Sequence, residues 1–377
     1  MPASVFSPAD HAHMASALAL AETGLGRVWP NPSVGCLIVK DGQVLGQAVT
    51  APGGRPHGET QALAQAGDAA RGATAYVSLE PCNHHGKTPP CSEALIAAGV
   101  ARVVVACEDP DPRVCGGGIR RLREAGIQVN VGLMAAEAEA LNEGFINRIR
   151  YAKPMVSLKM ATSLDGRIAT RSGHSQWITG APAREQGHRL RANHDAIMVG
   201  IGTALADDPE LTCRLPGLED RSPVRVVLDT RLRLPLTAKL VQQATRVPTW
   251  IVTLSHGAEA ARAQAFLDCG VQLIEIEPET PGEIAIGTAL RTLAARGVTR
   301  VLAEGGSRLA ASLLRAGEVD RLEWFRAPMV IGGDGLGAAA GFGIDDLADA
   351  LRFRRVDVLP LGDDLLERYR RALPRPC

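Results

Sequence analysis

The sequence predicts a two-domain α/β protein, on three observations. Short runs rich in Val, Leu and Ile alternate with helical patterns along the chain, the mark of a layered α/β architecture. The pattern breaks and restarts around Asn147–Pro154, where Pro154 disfavours helix at Lys153. The 377 residues also exceed one typical domain. Domains are therefore expected over 1–150 and 154–377.

In the first domain, Asp10 to Thr23 reads as a helix with Ala, Leu and Met on one face. Val34–Lys40 and Gln43–Val49 read as strands joined by Asp41-Gly42, a strong hairpin-turn signal. A helix is expected from His57 to Ala66, a buried strand over Thr74–Leu79 and a helix over Cys91–Ala98. Strands Arg102–Ala106 and Gln128–Val131 flank a helix at Ile119–Ala125, and a last helix ends near Arg150. The second domain opens with a strand at Met155–Lys159. Further strands follow at Ala196–Val199, Val224–Asp229, Thr249–Leu254, Val271–Ile276, Arg300–Ala303 and Arg321–Arg326, alternating with helices. No internal repeat or low-complexity tract is visible, and the tail Leu373–Cys377 is expected to fray.

Bulk properties narrow the function. Forty-one basic residues balance forty-one acidic ones, and aromatics make up only 3%. A protein that grips a nucleic-acid strand usually carries a basic excess and a stacking surface, so no nucleic-acid partner is expected. No apolar run approaches the roughly 18–20 residues that cross a bilayer, so no membrane partner is expected either. Met1 to Leu20 lacks the basic start and apolar block of a signal peptide. The eight cysteines are dispersed, which reads as reduced thiols or ligands in the cytoplasm.

One constellation carries chemistry. His57-Gly58-Glu59 lies 25 positions before Cys82, itself preceded by Pro81, and Cys91 follows. This order, a His-x-Glu and then Pro-Cys with a second Cys, is the pattern of zinc deaminases. One imidazole and two thiolates leave a fourth tetrahedral position open for water, as a catalytic zinc requires. Glu59, two residues after the His and at a helix start, can face the metal without binding it and move the protons. A structural zinc would instead recruit a fourth protein ligand. Eight residues separate the cysteines here, where the generic pattern has two. The insert ends in Pro89-Pro90, which stiffens the return to Cys91, and Cys91 opens a helix whose dipole favours a thiolate. His84, His85 and Lys87 in the insert could supply charge and donors to a substrate phosphate, or simply be solvated. In the second domain, the strand Arg300–Ala303 runs through Glu304-Gly305-Gly306-Ser307 into a helix over Arg308–Leu314. The glycines there let backbone N–H groups approach a phosphate.

With these residues in view, the chain resembles the bifunctional riboflavin-biosynthesis deaminase–reductases. The resembling stretches in the first domain are Asn31-Pro32-Ser33-Val34-Gly35-Cys36, Pro56-His57-Gly58-Glu59 and Ser78 to Cys91, whose long cysteine spacing belongs to that family. In the second they are Ser163-Leu164-Asp165-Gly166-Arg167, Ser175-Gln176-Trp177-Ile178-Thr179, Ala206-Asp207-Asp208-Pro209 and Glu304-Gly305-Gly306. The resemblance implies a cytidine-deaminase-like three-layer domain followed by a dihydrofolate-reductase-like α/β domain. The first would use one Zn²⁺ to deaminate 2,5-diamino-6-ribosylamino-4(3H)-pyrimidinone 5′-phosphate. The second would use NADPH to reduce the ribose of the product to ribityl.

The resemblance also assigns residues. Asn31, His84 and Lys87 would contact the deaminase substrate. Ala161, Trp177, Thr203, Asp207, Thr230 and the run Gly306, Ser307, Arg308, Leu309, Ala310, Ala311, Ser312 would line the NADPH site. Lys159, Ser175, Arg191, Leu211, Arg214 and Glu304 would face the phosphorylated sugar. Guanidinium chemistry makes Arg191 and Arg214 suitable phosphate forks. The resemblance assigns no proton donor to the developing alkoxide, and Lys159 is taken for that role. Association into a homo-oligomer is implied as well. Two positions depart from the family: Gly58, where Ala is usual, and Gln61, where His is frequent. Gly costs up to ~1 kcal/mol against Ala in a helix and less at its start, so activity should survive. Gln61 can still donate a hydrogen bond. Two other functions are compatible with the motifs alone: a deaminase acting on a flipped base, and a sensor whose second domain binds a nucleotide without turnover.

Overall fold

The computed structural model describes residues 6–84, 89–255 and 259–372, and the chain divides into two compact units, Met1–Tyr151 and Ala152–Cys377. His85, Lys87 and the tail from Leu373 lie outside the described residues.

The first unit runs α1 (Pro8–Thr23), β1 (Gly35–Lys40), β2 (Gln43–Val49), α2 (Gly58–Ala66), β3 (Thr74–Val77), α3 (Cys91–Ala98), β4 (Arg102–Val105), α4 (Gly117–Glu124), β5 (Gln128–Val131), α5 (Ala135–Leu141) and α6 (Glu143–Tyr151). Its five-stranded sheet has the order β2-β1-β3-β4-β5. β1 pairs antiparallel with β2 and β3, and β3, β4 and β5 are parallel. Asp41 and Gly42, at φ 50° and 77°, make the hairpin turn that the Asp-Gly pair encodes. Ser7 and Asp10 cap α1 reciprocally. Asp10 then receives Tyr76 Oη at 2.7 Å and Arg102 Nη1 at 2.7 Å, so the cap of the first helix is also tied to the sheet. The central strands are apolar on both faces (Leu37, Ile38, Val77, Val103, Val104 and Val105 are buried), as a sheet covered by helices on both sides requires.

The second unit runs β6 (Met155–Thr162), β7 (Arg167–Ala169), α7 (Ala181–Ala192), β8 (Ala196–Gly200), α8 (Ile201–Asp207), β9 (Val224–Leu228), α9 (Lys239–Gln242), β10 (Thr249–Leu254), α10 (Ala260–Asp268), β11 (Gln272–Ile276), α11 (Ile286–Ala295), β12 (Arg300–Ala303), α12 (Ser307–Arg315), β13 (Arg321–Arg326), β14 (Leu336–Gly337), β15 (Phe353–Leu361) and β16 (Asp364–Arg371). Its nine-stranded sheet has the order β11-β10-β9-β8-β12-β6-β13-β16-β15. The strands from β11 to β13 are parallel, and β16 and β15 add an antiparallel hairpin at one edge. β12 lies between β8 and β6, so chain order reverses there, and open α/β sheets bind ligands at the carboxyl ends of strands beside such a reversal. Among the described residues no helix is long and apolar enough to cross a membrane.

The hairpin β15–β16 and the pair β7–β14 were not expected from sequence. β15 carries Arg354, Arg355, Asp357 and Pro360 among its apolar residues, and residues 354–360 are all exposed, so no buried face imposes an alternating pattern.

A metal-ligand cluster and a charged side-chain cluster

The His-x-Glu segment is placed by the turn into α2. His57 is the extended N-cap residue and Gly58 begins the helix. Gln61 Nε2 donates to the carbonyls of Val49 at 2.8 Å, Pro56 at 3.0 Å and His57 at 3.2 Å, tying that turn to the end of β2. Gly58 is packed so closely that a Cβ there would stand 2.6 Å from the Val34 carbonyl oxygen. Cys91 is the first residue of α3, after Pro90 at the N-cap, and its N–H points to Cys82 Sγ at 3.4 Å.

These elements bring three ligands together from across 34 positions of chain. His57 Nδ1 lies 3.2 Å from Cys91 Sγ and 3.6 Å from Cys82 Sγ, and the three donor atoms fall within 4.8 Å of one another. The Cys91 side chain, the His57 ring and the Cys91 N–H together hold the Cys82 thiol well below the ordinary thiol range, against the opposing effect of burial. The same contact pushes Cys91 up. His57 is raised, chiefly by Cys82. One imidazole beside one ready thiolate and a second thiol is a donor set that fits a divalent metal and releases protons on binding it.

Glu59 is 3% exposed, and its Oε2 is buried without a hydrogen-bond partner. Burial raises its pKa, so the carboxyl is poised to hold a proton. An orphaned carboxylate oxygen next to a metal-ligand cluster is unfavourable for folding and suits a proton carrier.

Sequence reading gave no role to three acids nearby. Glu80 accepts four backbone N–H groups: Oε2 from Asp109 and Gly116, Oε1 from Gly118 and Ile119, at 2.9–3.2 Å. It thereby folds the segment 109–119 beside Cys82. Asp109 is 6% exposed and is pushed up to about 7 by burial, with Asp111, Glu80 and Cys82 adding to the rise. Asp111 is held down by its pairing with Arg113. The repeated Asp-Pro of Asp109-Pro110-Asp111-Pro112 was the available signal, since loop acids followed by proline mark a fixed turn. Of the three residues assigned to the substrate, Asn31 donates to the Gly54 carbonyl at 2.9 Å, His84 has a buried Nδ1 without a partner, and Lys87 is outside the described residues.

In the second unit Ala161, Thr203, Glu304 and Gly306 lie at or just beyond the carboxyl ends of β6, β8 and β12, whereas Ser175, Trp177 and Thr230 lie in other loops. Thr203 on α8 accepts the Gly306 N–H at 2.9 Å, which ties the loop after β12 to the helix that follows β8. Gly306 is the N-cap of α12 with no capping side chain, so the first N–H groups of the helix are open to an anion. A Cβ at Gly305 would stand 2.7 Å from Leu309 Cδ2, so a larger residue there requires the Leu309 side chain to shift. Leu309, Ala310 and Ala311 are buried, so only Gly306, Ser307 and Arg308 present an open surface from that run, with Ser312 half-buried beyond it. Trp177 is 66% exposed with the Arg184 guanidinium 4.8 Å from its ring, so it is no core residue. Ala161 on β6 and Thr230 after β9 are half-buried, whereas Asp207, at the end of α8, is exposed.

Glu304 stands at the centre of a cluster of charged side chains. Arg191 binds it through Nε at 2.8 Å and Nη2 at 2.9 Å, and Lys159 Nζ lies 3.7 Å away. Burial alone would raise this carboxyl, yet Arg191 and Lys159 hold it down at about 2. Arg191 also donates through Nη1 to the Thr212 carbonyl at 3.0 Å. Arg214 is freer: its side chain is 52% exposed and, among the described residues, hydrogen-bonds Glu210 at 3.2 Å and Thr212 Oγ1 at 3.4 Å. Leu211 is buried at φ 55°, and Ser175 is half-buried in the loop before α7.

Comparison with known proteins gives a consistent picture. Residues 154–366 match the RibD C-terminal domain family, and residues 7–107 match the cytidine and deoxycytidylate deaminase zinc-binding region. The riboflavin biosynthesis protein RibD of Escherichia coli (strain K12) is 42% identical over 368 residues, covering 94% of this chain and 98% of that protein. That of Aquifex aeolicus (strain VF5) is 40% identical over 96% of this chain and 98% of that protein. Among solved structures, Acinetobacter baumannii RibD superposes with a TM-score of 0.86 at 40% identity, covering 97% of this chain and 99% of that one. A diaminohydroxyphosphoribosylaminopyrimidine deaminase/5-amino-6-(5-phosphoribosylamino)uracil reductase from Thermotoga maritima gives 0.85 at 34% identity with the same coverage. A metal-ligand cluster in one unit and a charged side-chain cluster in the other thus sit on a chain that is similar to these proteins almost from end to end, and the chain belongs to the RibD family of bifunctional riboflavin-biosynthesis enzymes, with a deaminase and an oxidoreductase activity.

Proposed function

We propose that the first unit deaminates 2,5-diamino-6-ribosylamino-4(3H)-pyrimidinone 5′-phosphate with zinc. On this reading the second unit reduces the ribose of 5-amino-6-(5-phosphoribosylamino)uracil with NADPH. The observation that carries the first half is the buried, unpartnered Glu59 Oε2 beside a His57–Cys82–Cys91 cluster. These three residues would hold the zinc, which when bound supplies the acidity that makes a water nucleophilic near neutral pH. Glu59 takes up the proton of that water and returns protons to the departing amine, which leaves as ammonia. Its burial favours this exchange, because the neutral and charged forms are brought closer in energy than in water.

For the second half, the open first turn of α12 and the Gly305-Gly306 loop fit a cofactor phosphate, and NADPH would supply the hydride. Ala161, Trp177, Thr203, Asp207 and Thr230 line the approach to that loop in this assignment. Arg214 takes the substrate phosphate and Lys159 delivers the proton to the oxygen that the hydride leaves negative. Arg191 contributes to the phosphate site and holds Glu304 ionised beside the sugar. A single assay tests the whole reading: the protein with zinc and the diaminopyrimidine phosphate should release ammonia first and consume NADPH only afterwards. NADPH loss without prior ammonia release would refute the order, and ammonia release with no NADPH loss would reduce the second unit to a sensor. Location in the cytoplasm and self-association belong to the same proposal.

A further inference from the structure

His188 stands one helical turn before Arg191 on α7, and residues at that spacing share a helix face. Both side chains converge on one peptide group: Arg191 Nη1 donates to the Thr212 carbonyl at 3.0 Å, and His188 Nδ1 lies 3.2 Å from the same oxygen. That nitrogen is also 3.4 Å from the backbone N of Arg214. The segment that carries these groups has no regular secondary structure. Cys213, between them, gives its N–H to Ser222 Oγ at 3.1 Å. Side chains, not a sheet ladder, therefore fix the path of the backbone from which the half-exposed Arg214 projects.

We infer that His188 is a positioning residue for phosphate recognition, holding the 212–214 backbone so that Arg214 is aimed at the substrate phosphate. The inference rests on the assignment of Arg214 to that phosphate, proposed above. Imidazole suits the place for two reasons. In one tautomer Nδ1 donates to the Thr212 carbonyl, and in the other it accepts the Arg214 N–H, so either form secures the segment. Burial, together with the guanidiniums of Arg191 and Arg214, lowers the pKa of His188 against the opposing pull of the Thr212 carbonyl and Glu304, and so keeps a third positive charge out of the cluster.

Steady-state kinetics of the reductase step in the full-length protein test the role, using 5-amino-6-(5-phosphoribosylamino)uracil and its dephosphorylated form. His188→Ala should raise KM for the phosphorylated substrate roughly three- to tenfold, the loss of about one neutral hydrogen bond, with kcat and the KM for NADPH unchanged. His188→Asn should restore KM, because its amide nitrogen occupies the place of Nδ1, whereas His188→Gln, which reaches toward the place of Nε2, should not. Unchanged KM in His188→Ala, equal loss with both substrates, or equal rescue by Asn and Gln would each overturn the role. Arg214→Ala separates the two layers of the argument. If it abolishes the preference for the phosphorylated substrate while His188→Ala does nothing, only the role of His188 falls. If it leaves the preference intact, the phosphate assignment falls and the role of His188 with it.

Discussion

Arg191 and Glu304 meet across 113 positions of chain, Nε to Oε1 at 2.8 Å and Nη2 to Oε2 at 2.9 Å, with side chains only 16% and 10% exposed. Arginine has five donors, and three of them are committed here to the protein itself. The residue is thus structural before it is a phosphate ligand, which sequence alone did not suggest. Replacing it by Met should leave a buried carboxylate with Lys159 as its one remaining ion-pair partner among the described residues and cost about 3–5 kcal/mol of stability. Arg214→Met, at an exposed pair, should cost under about 1 kcal/mol. Denaturant unfolding of the two variants measures the contrast, and equal stability would return Arg191 to a purely ligand-binding role.

The same pair makes stability pH-dependent. Glu304 is held down at about 2 from an ordinary value of 4.5. The unfolded chain therefore takes up this proton first as pH falls, and the stabilisation is complete above about pH 4.5 and lost progressively toward about pH 2. The amount is about 3 kcal/mol. Unfolding midpoints measured from pH 5 to pH 2.5 should fall less steeply for Glu304→Gln than for the natural chain. Parallel slopes would mean that other carboxylates carry the acid sensitivity.

Gly58 inverts an expectation from helix propensity. Ala is favoured over Gly by up to ~1 kcal/mol in a helix. Here a Cβ would approach the Val34 carbonyl oxygen to 2.6 Å and the Ala48 carbonyl oxygen to 3.2 Å. Gly58→Ala should lower stability by roughly 1–3 kcal/mol, the range for overpacking, and loosen the metal site because His57 and Glu59 flank it. Thermal melts and zinc content report both effects, and a rise in Tm would show that α2 moves freely enough to make room.

Legibility in the sequence followed the strength of local constraint. The metal cluster was readable because ligand chemistry needs fixed residue types, and His57, Cys82 and Cys91 do converge. The central strands were readable because burial on both faces gives continuous Val/Leu/Ile runs such as Val224–Leu228. The hairpin β15–β16 was not, since an exposed edge strand carries no such pattern. Glu80 and His188 were missed because each acts on the backbone of a distant segment, and no spacing rule records a side chain that bonds a peptide 29–39 or 24–26 positions away.

Cys82 is the ligand whose thiolate is already favoured. Cys82→Ser should therefore lose zinc and deamination together, while NADPH-dependent reduction of supplied deaminated substrate persists. Metal analysis of the purified variant decides this, and an unchanged zinc content would remove Cys82 from the ligand set.

Glu59→Gln separates folding from chemistry at the buried carboxyl beside the cluster. The carboxylate is buried, its Oε2 has no hydrogen-bond partner, and burial raises its pKa, so its charged form is held at a cost. A neutral amide of the same shape removes that cost, and the variant should be at least as stable as the natural chain. The three ligand side chains are untouched, so zinc should be retained. The amide cannot accept the proton of the attacking water or pass one to the leaving amine, and general acid–base catalysis typically contributes ~10²–10⁴-fold. Ammonia release should fall by at least that factor with reduction by the second unit unaffected. Should the variant deaminate at a near-normal rate while holding zinc, the proton must travel through another group. Asp109, whose pKa is raised to about 7 beside Cys82, is the first to test. Should it lose zinc as well, Glu59 would be acting on the ligands and not on the reacting atoms.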